Sequence, residues 1–141
     1  MHEADNFHYY KIPVAFGTTM KDGEVSRACT YYGMEPVCVG PSGCSANTGN
    51  CRVTPLSTIC GTAMSPISKL LCDGQNPDNC PIMDQMFSVY TEDGKGARGA
   101  VDGKWYVEGR NYTSTKEKPL FAYCTKHSMT GKLNLFNIKG L

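Results

Sequence analysis

The chain has 141 residues with a formal net charge of +1, and 40% of its residues are hydrophobic and 10% aromatic. That is the composition of one globular domain with enough apolar side chains for a core, not of a disordered segment. Charges of both signs are mixed along the chain, with no basic run and no apolar stretch near the ~18 residues of a membrane span, which argues against nucleic-acid partners and against membrane insertion.

Phe7 to Val14 (FHYYKIPV) is aromatic and β-branched, and predicts a strand that ends at, or runs along an edge because of, the donor-less Pro13. Thr18 to Met34 holds the clearest helix. Asp22 or Thr19 supplies the cap, Val25, Ala28, Cys29 and Tyr32 form one apolar stripe, and Gly33 offers a left-handed stop before Pro36. Cys29 lies on that stripe, so its bridge is expected to point inward. Cys38 to Cys60 reads as loop, rich in Gly, Pro and Asn. A second helix is expected from Ser65 and Pro66 to Gly74, with Ile67, Leu70 and Leu71 on its inner face. From Met86 the period changes to two. Met86–Tyr90, Trp105–Val107, Leu120–Cys124 and Leu133–Ile138 predict strands, and Asp93-Gly94 and Asp102-Gly103 predict hairpin turns, with a flexible stretch from Lys95 to Ala100. The expected architecture is a single α+β disulfide-rich domain over residues 1–141. It comprises an N-terminal strand, two helices within a cystine-rich half (about 18–82), and a C-terminal antiparallel sheet (about 84–138).

Seven of the eight cysteines (Cys29, Cys38, Cys44, Cys51, Cys60, Cys72 and Cys80) crowd into one segment, and Cys124 stands apart. Neighbouring cysteines are never closer than Cys38 and Cys44, so the short ligand pairs of structural zinc sites are missing, and the three histidines are scattered. Disulfides are therefore expected, and with them an oxidising compartment: secreted, or the extracellular part of a membrane-anchored protein. No apolar leader follows Met1, so the chain is read as a mature domain or one excised from a longer protein. Because seven is odd, complete pairing within the chain requires one bridge between this segment and Cys124. Cys29–Cys72, stapling two helices, and Cys80–Cys124 are the pairings considered.

Several short strings, among them Lys11–Val14 (KIPV), Arg27-Ala28-Cys29, Pro36-Val37-Cys38, Gly40–Cys44 (GPSGC), Leu70-Leu71-Cys72 and Leu120–Cys124 (LFAYC), resemble a cysteine-rich module of large secreted or receptor-like proteins of marine invertebrates. That resemblance implies an extracellular, adhesive, repeat-type role. The order of elements is also similar to C-type lectin-like domains, but the Glu-Pro-Asn or Gln-Pro-Asp calcium triplets and the following Trp-Asn-Asp of those domains are missing.

No catalytic residues emerge. There is no G-x-S-x-G, H-E-x-x-H or Walker motif, and Asp84, Glu92, Asp93, Asp102 and Glu108 read as solvated turn acids. No cofactor is expected. Calcium is the one metal weighed, at Glu92, Asp93 and Asp102, where two hairpin turns already account for the acids. The nearest approach to a ligand-binding cluster is Arg98, Trp105, Tyr106, Arg110 and Tyr112, since aromatics and arginine combine contact area with polar handles. Trp105 can equally be a core residue of the sheet. In each of the pairs Tyr9-Tyr10 and Tyr31-Tyr32, one ring is expected inside and one outside. Asn111-Tyr112-Thr113 is an N-glycosylation acceptor sequence at Asn111. The function expected is a non-enzymatic extracellular recognition or adhesion module for a glycan or protein ligand. The alternative is a secreted inhibitor or toxin-like effector presenting the Cys38–Cys60 loop, and self-association in a matrix is a third reading.

Overall fold

A computed structural model describes residues 2–4, 6–39, 51–52, 54, 72, 80–90 and 97–127. Strands β1 (His2–Ala4) and β2 (Phe7–Pro13) form a hairpin, turned by Asn6 at φ 68°. Helix α1 (Asp22–Tyr31) follows, then the short strands β3 (Glu35–Pro36) and β4 (Cys38–Val39). After a 3₁₀ turn at Pro81–Met83 come β5 (Met86–Tyr90), β6 (Arg98–Val101) and β7 (Lys104–Glu108). A second 3₁₀ turn at Gly109–Asn111 precedes β8 (Phe121–His127).

The strand order is β1-β2-β8-β5-β6-β7, with β3 also paired to β8 and β4 to β5. The sheet is mixed, which corrects the expectation of an antiparallel C-terminal sheet. β5 runs parallel to β8 and β4 parallel to β5, while the other pairs are antiparallel. β2 lies between β1 and β8 and ends at Pro13, so the N-terminal strand belongs to the same sheet as the C-terminal ones. One α-helix occurs among the described residues. The helix expected at Ser65–Gly74, the Asp93-Gly94 turn and the strand at Leu133–Ile138 lie outside them.

Alternation along the strands explains why this sheet is buried on both faces. Ala122 and Cys124 of β8, with Phe87 and Val89 of β5, join Val25 and Cys29 of α1 in one apolar cluster. Their neighbours Tyr123 and Met86 point the other way and join Tyr9, Val37, Met83 and the Cys72–Cys80 pair in a second cluster. Residues 98–100, expected as part of a flexible stretch, belong instead to β6 (Arg98–Val101), a strand buried at every position. Gly99 has to be a glycine: a Cβ there would collide with the Met86 carbonyl and stand 2.7 Å from the Phe87 ring. The Asp102-Gly103 turn forms as expected, with φ of 52° and 78° between Val101 and Lys104, the two-residue geometry that suits a twisted hairpin.

Three disulfides join the described cysteines. Cys29–Cys124 ties α1 to β8 over a sequence separation of 95, with Cα atoms 5.5 Å apart. Cys38–Cys51 and Cys72–Cys80 close loops with separations of 13 and 8. Cys124 thus reaches back to the cysteine-rich segment as parity requires, but to Cys29. The Cys29–Cys72 and Cys80–Cys124 pairings are both overturned, because α1 packs directly across β8 while Cys72 and Cys80 lie in the cluster on the other face of the sheet. Cys44 and Cys60 lie outside the described residues.

Candidate functional site

Helix α1 has two faces. Val25 and Cys29 are fully buried. Opposite them, Glu24, Arg27 and Tyr31 stand one helical turn apart on the outside, as the 3.6-residue period requires. The N-terminus begins after Lys21, whose side chain forms no capping hydrogen bond, so neither Thr19 nor Asp22 caps it. Asp22 and Glu24 sit in the first turn instead, where the helix dipole favours acids. At the other end the Met34 amide donates to the Cys29 carbonyl at 2.9 Å and the Gly33 amide to Thr30 at 3.0 Å, with Gly33 at φ 73°. This is a Schellman stop, and it needs a residue without a Cβ penalty at Gly33.

That stop decides where Tyr32 goes. At φ −103° and ψ 16° it has left the helical path, so the i+7 register from Val25 no longer applies to it. Tyr32 is 53% exposed and Tyr31 80% exposed, both outside, which corrects the expectation of one ring in and one out. Their rings meet edge-on, centroids 5.1 Å apart at 87°. Tyr9 and Tyr10 keep the alternation: Tyr9 is buried and Tyr10 half-buried.

The facing wall is the chain leaving β2. Val14 donates its amide to the Leu120 carbonyl at 3.0 Å, and Gly17, at φ 91°, donates to Ser114 at 2.7 Å. Ser114 in turn donates to Thr18 at 2.8 Å and Met20 to Tyr112 at 3.0 Å, so the segment is pinned from behind while Phe16 stays 62% exposed. Between this wall and the outer face of α1 lies an open groove of about 450 Å³. Pro13, Val14 and Ala15 line one side, and Glu24, Arg27, Tyr31 and Tyr32 the other. Arg27 Nε is 3.8 Å from Glu24 Oε1, a loose exposed ion pair that leaves most donors and acceptors of both groups open. The groove contains no nucleophile–base pair. It offers aromatic faces, one carboxylate, one guanidinium and the Thr18 hydroxyl.

The cluster expected from sequence is distributed differently. Arg98 is only 7% exposed, and its guanidinium donates to the Ala97 carbonyl at 3.2 Å and lies 4.0 Å from Glu108. Arg110 is exposed and contacts the same carboxylate, Nε to Oε1 at 2.5 Å, so Glu108 brings the two arginines together. Tyr112 is half-buried, its ring 6.2 Å from that of Phe87. Trp105 and Tyr106 belong to β7, where the register with β6 shifts between Gly99 and Ala100; their side chains are outside the described residues. Arg98 and Tyr112 thus serve packing, while Arg110 and Asn111 are exposed.

A second polar cluster gathers at the end of β2. Lys11 donates to the Ile82 carbonyl at 3.0 Å and its ammonium stands 5.0 Å from the Phe121 ring centroid. Burial lowers its pKa, partly offset by the Asp84 carboxylate. Asp84 accepts from the Gly103 amide at 3.4 Å, and Lys118 pairs with Asp102, whose hydrogen bond raises the lysine pKa. These contacts fasten the 3₁₀ turn and the β6–β7 hairpin to the sheet. Among the described residues, no three of His, Cys, Asp and Glu converge on one point, and no helix is long and apolar enough to cross a membrane.

No family model, curated protein or solved structure matches the chain. Geometry alone therefore defines its class, a disulfide-rich α+β domain. A helical stripe continued from Val25 through Tyr32 turns that ring inward and hides the groove, whereas Tyr32 is the C-cap of α1. The signal that finds it is Gly33: the residue before a Schellman glycine is a cap, and its side chain does not follow the helical wheel.

Proposed function

We propose that the protein is a non-enzymatic extracellular recognition module whose ligand-binding surface is the groove between α1 and the β2–α1 loop. The observation that carries this reading is the exposure of Tyr31 and Tyr32 on a groove wall with Glu24 and Arg27 beside them. Aromatic rings cost little entropy to order and bury much area, which is why they anchor binding surfaces. The three disulfides support an oxidising, extracellular setting.

The ligand class favoured is a neutral saccharide. Glu24 and Arg27 cancel in charge and stand side by side, so they suit a ligand without net charge that offers both donors and acceptors. Sugar hydroxyls do both, and the apolar C–H face of a pyranose packs on a tyrosine ring. The test is a glycan array probed with the oxidised protein, with calcium and with chelator, alongside a Tyr31→Ala/Tyr32→Ala variant. Selective binding that survives chelation and drops at least tenfold in the variant supports the reading. A blank array, with a protein captured only by the unsubstituted groove, replaces the saccharide by a protein ligand. Binding that ignores both tyrosines removes the groove from the mechanism.

A further inference from the structure

We infer that Asn111 carries an N-linked glycan, added before the β2–α1 loop docks onto the segment that bears it. Asn111-Tyr112-Thr113 is the only Asn-x-Ser/Thr sequence in the chain. Such triplets arise by chance, and a buried asparagine would carry nothing. Here the asparagine ends the 3₁₀ turn Gly109–Asn111 and is exposed. The residue after it has extended backbone, φ −131° and ψ 135°, and a half-buried ring. The triplet therefore leaves the turn with its acceptor side chain in solvent and its middle residue anchored. The pairing of Cys29 with Cys124 over 95 residues independently indicates folding in an oxidising compartment, where such transfer takes place.

The timing follows from Thr113. Its hydroxyl is 2.9 Å from that of Thr19, and the two residues also form a backbone bridge. The transferase has to read the hydroxyl of this threonine, and in the folded protein that hydroxyl, although exposed, is already hydrogen-bonded to Thr19. In the transfer, the Asn111 carboxamide nitrogen bonds to the anomeric carbon of a lipid-pyrophosphate-linked oligosaccharide. The bond from that carbon to the pyrophosphate breaks, the pyrophosphate leaves with the electron pair, and one amide proton goes to a base. The finished glycan stands beside the 17–20 loop that also contributes Thr18 to the groove, so it limits access from that end.

The experiment is translation of the chain, behind a cleavable leader, into microsomal vesicles, with glycosidase treatment and peptide mapping. The expected result is one glycosidase-sensitive mass shift mapped to Asn111, lost in Asn111→Gln and Thr113→Val and kept in Thr113→Ser. This readout does not depend on whether a variant folds. A translocated wild-type chain without the shift overturns the site. For the timing, chain presented to the same transferase reduced and unfolded should be modified at least tenfold more than oxidised, folded protein; equal modification of the two overturns that part.

Discussion

Along one ten-residue helix, Val25 and Cys29 have no exposed surface while Tyr31 is 80% exposed. The inner face meets β8 and β5 and is locked to them by Cys29–Cys124. The outer face looks across an open groove to Pro13–Ala15 and Thr18, and carries the ring of Tyr31 edge-on to that of Tyr32. Folding requires the first face and not the second. Large aromatic side chains kept on the outside contribute little to stability, and the proposed recognition role rests on them.

The sharpest way to break this contrast is to cut the inner face. Cys124→Ser removes a bridge that closes a loop of 95 residues, worth about 4–5 kcal/mol in the chain-entropy model. That is a large part of the ~5–15 kcal/mol of a typical domain. The melting temperature should fall sharply; a variant that melts like the parent contradicts the role given to the seam.

Next in size is Gly109→Ala. A Cβ on Gly109 would collide with the Met20 carbonyl and lie 2.9 Å from the Met20 Cβ, at a point where the Gly109 amide also donates to Ala97. Backbone cannot yield there, so urea denaturation should show a loss of about 2–3 kcal/mol. A loss under ~0.5 kcal/mol would mean that the 109–115 segment is not held against the β2–α1 loop as described.

A smaller effect tests the opposite face of the sheet. Burial holds the Tyr123 phenol well above its usual range, and Tyr9 adds in the same direction. The fold thus favours the neutral phenol. Its stabilisation is complete below about pH 10 and is lost as pH rises through the raised pKa, at up to ~1.4 kcal/mol per pH unit. Lys11, lowered by burial, acts with the opposite sign, so the comparison has to be made against Tyr123→Phe. That variant should show a shallower alkaline limb in stability measured from pH 9 to 12, and identical limbs would count against the burial effect. The smallest stability change belongs to Tyr31→Ala/Tyr32→Ala: within about 0.5 kcal/mol in urea, with ligand binding lost. A large destabilisation with intact binding would reverse the assignment of the two faces.

How much of this was legible in the sequence varies from residue to residue. Strands at Phe7–Pro13 and Met86–Tyr90 follow from their aromatic and β-branched composition, and the Asp102-Gly103 hairpin from its turn chemistry. Within the Cys38–Cys60 loop, residues 40–50, 53 and 55–60 are outside the described residues, as is the tail beyond residue 127, so the loop-presenting alternative rests where the sequence left it. Of the binding cluster expected from sequence, Arg98 proved buried and Tyr112 half-buried, because composition marks which residue types favour interfaces but not which side of a sheet is already covered.

By itself the sequence determined what is local or arithmetical: the Val25–Cys29 stripe, the glycine that ends α1, the hairpin turn, and the need for Cys124 to reach back into the cysteine-rich segment. Only the tertiary structure decided that its partner is Cys29, that β5 and β8 run parallel, and that Tyr32 faces outward beside Tyr31. Periodicity and parity act over a few residues or over a count, whereas a partner at a separation of 95 is chosen by which elements pack together. That choice belongs to the whole core, because each layer buries its apolar face only against the others.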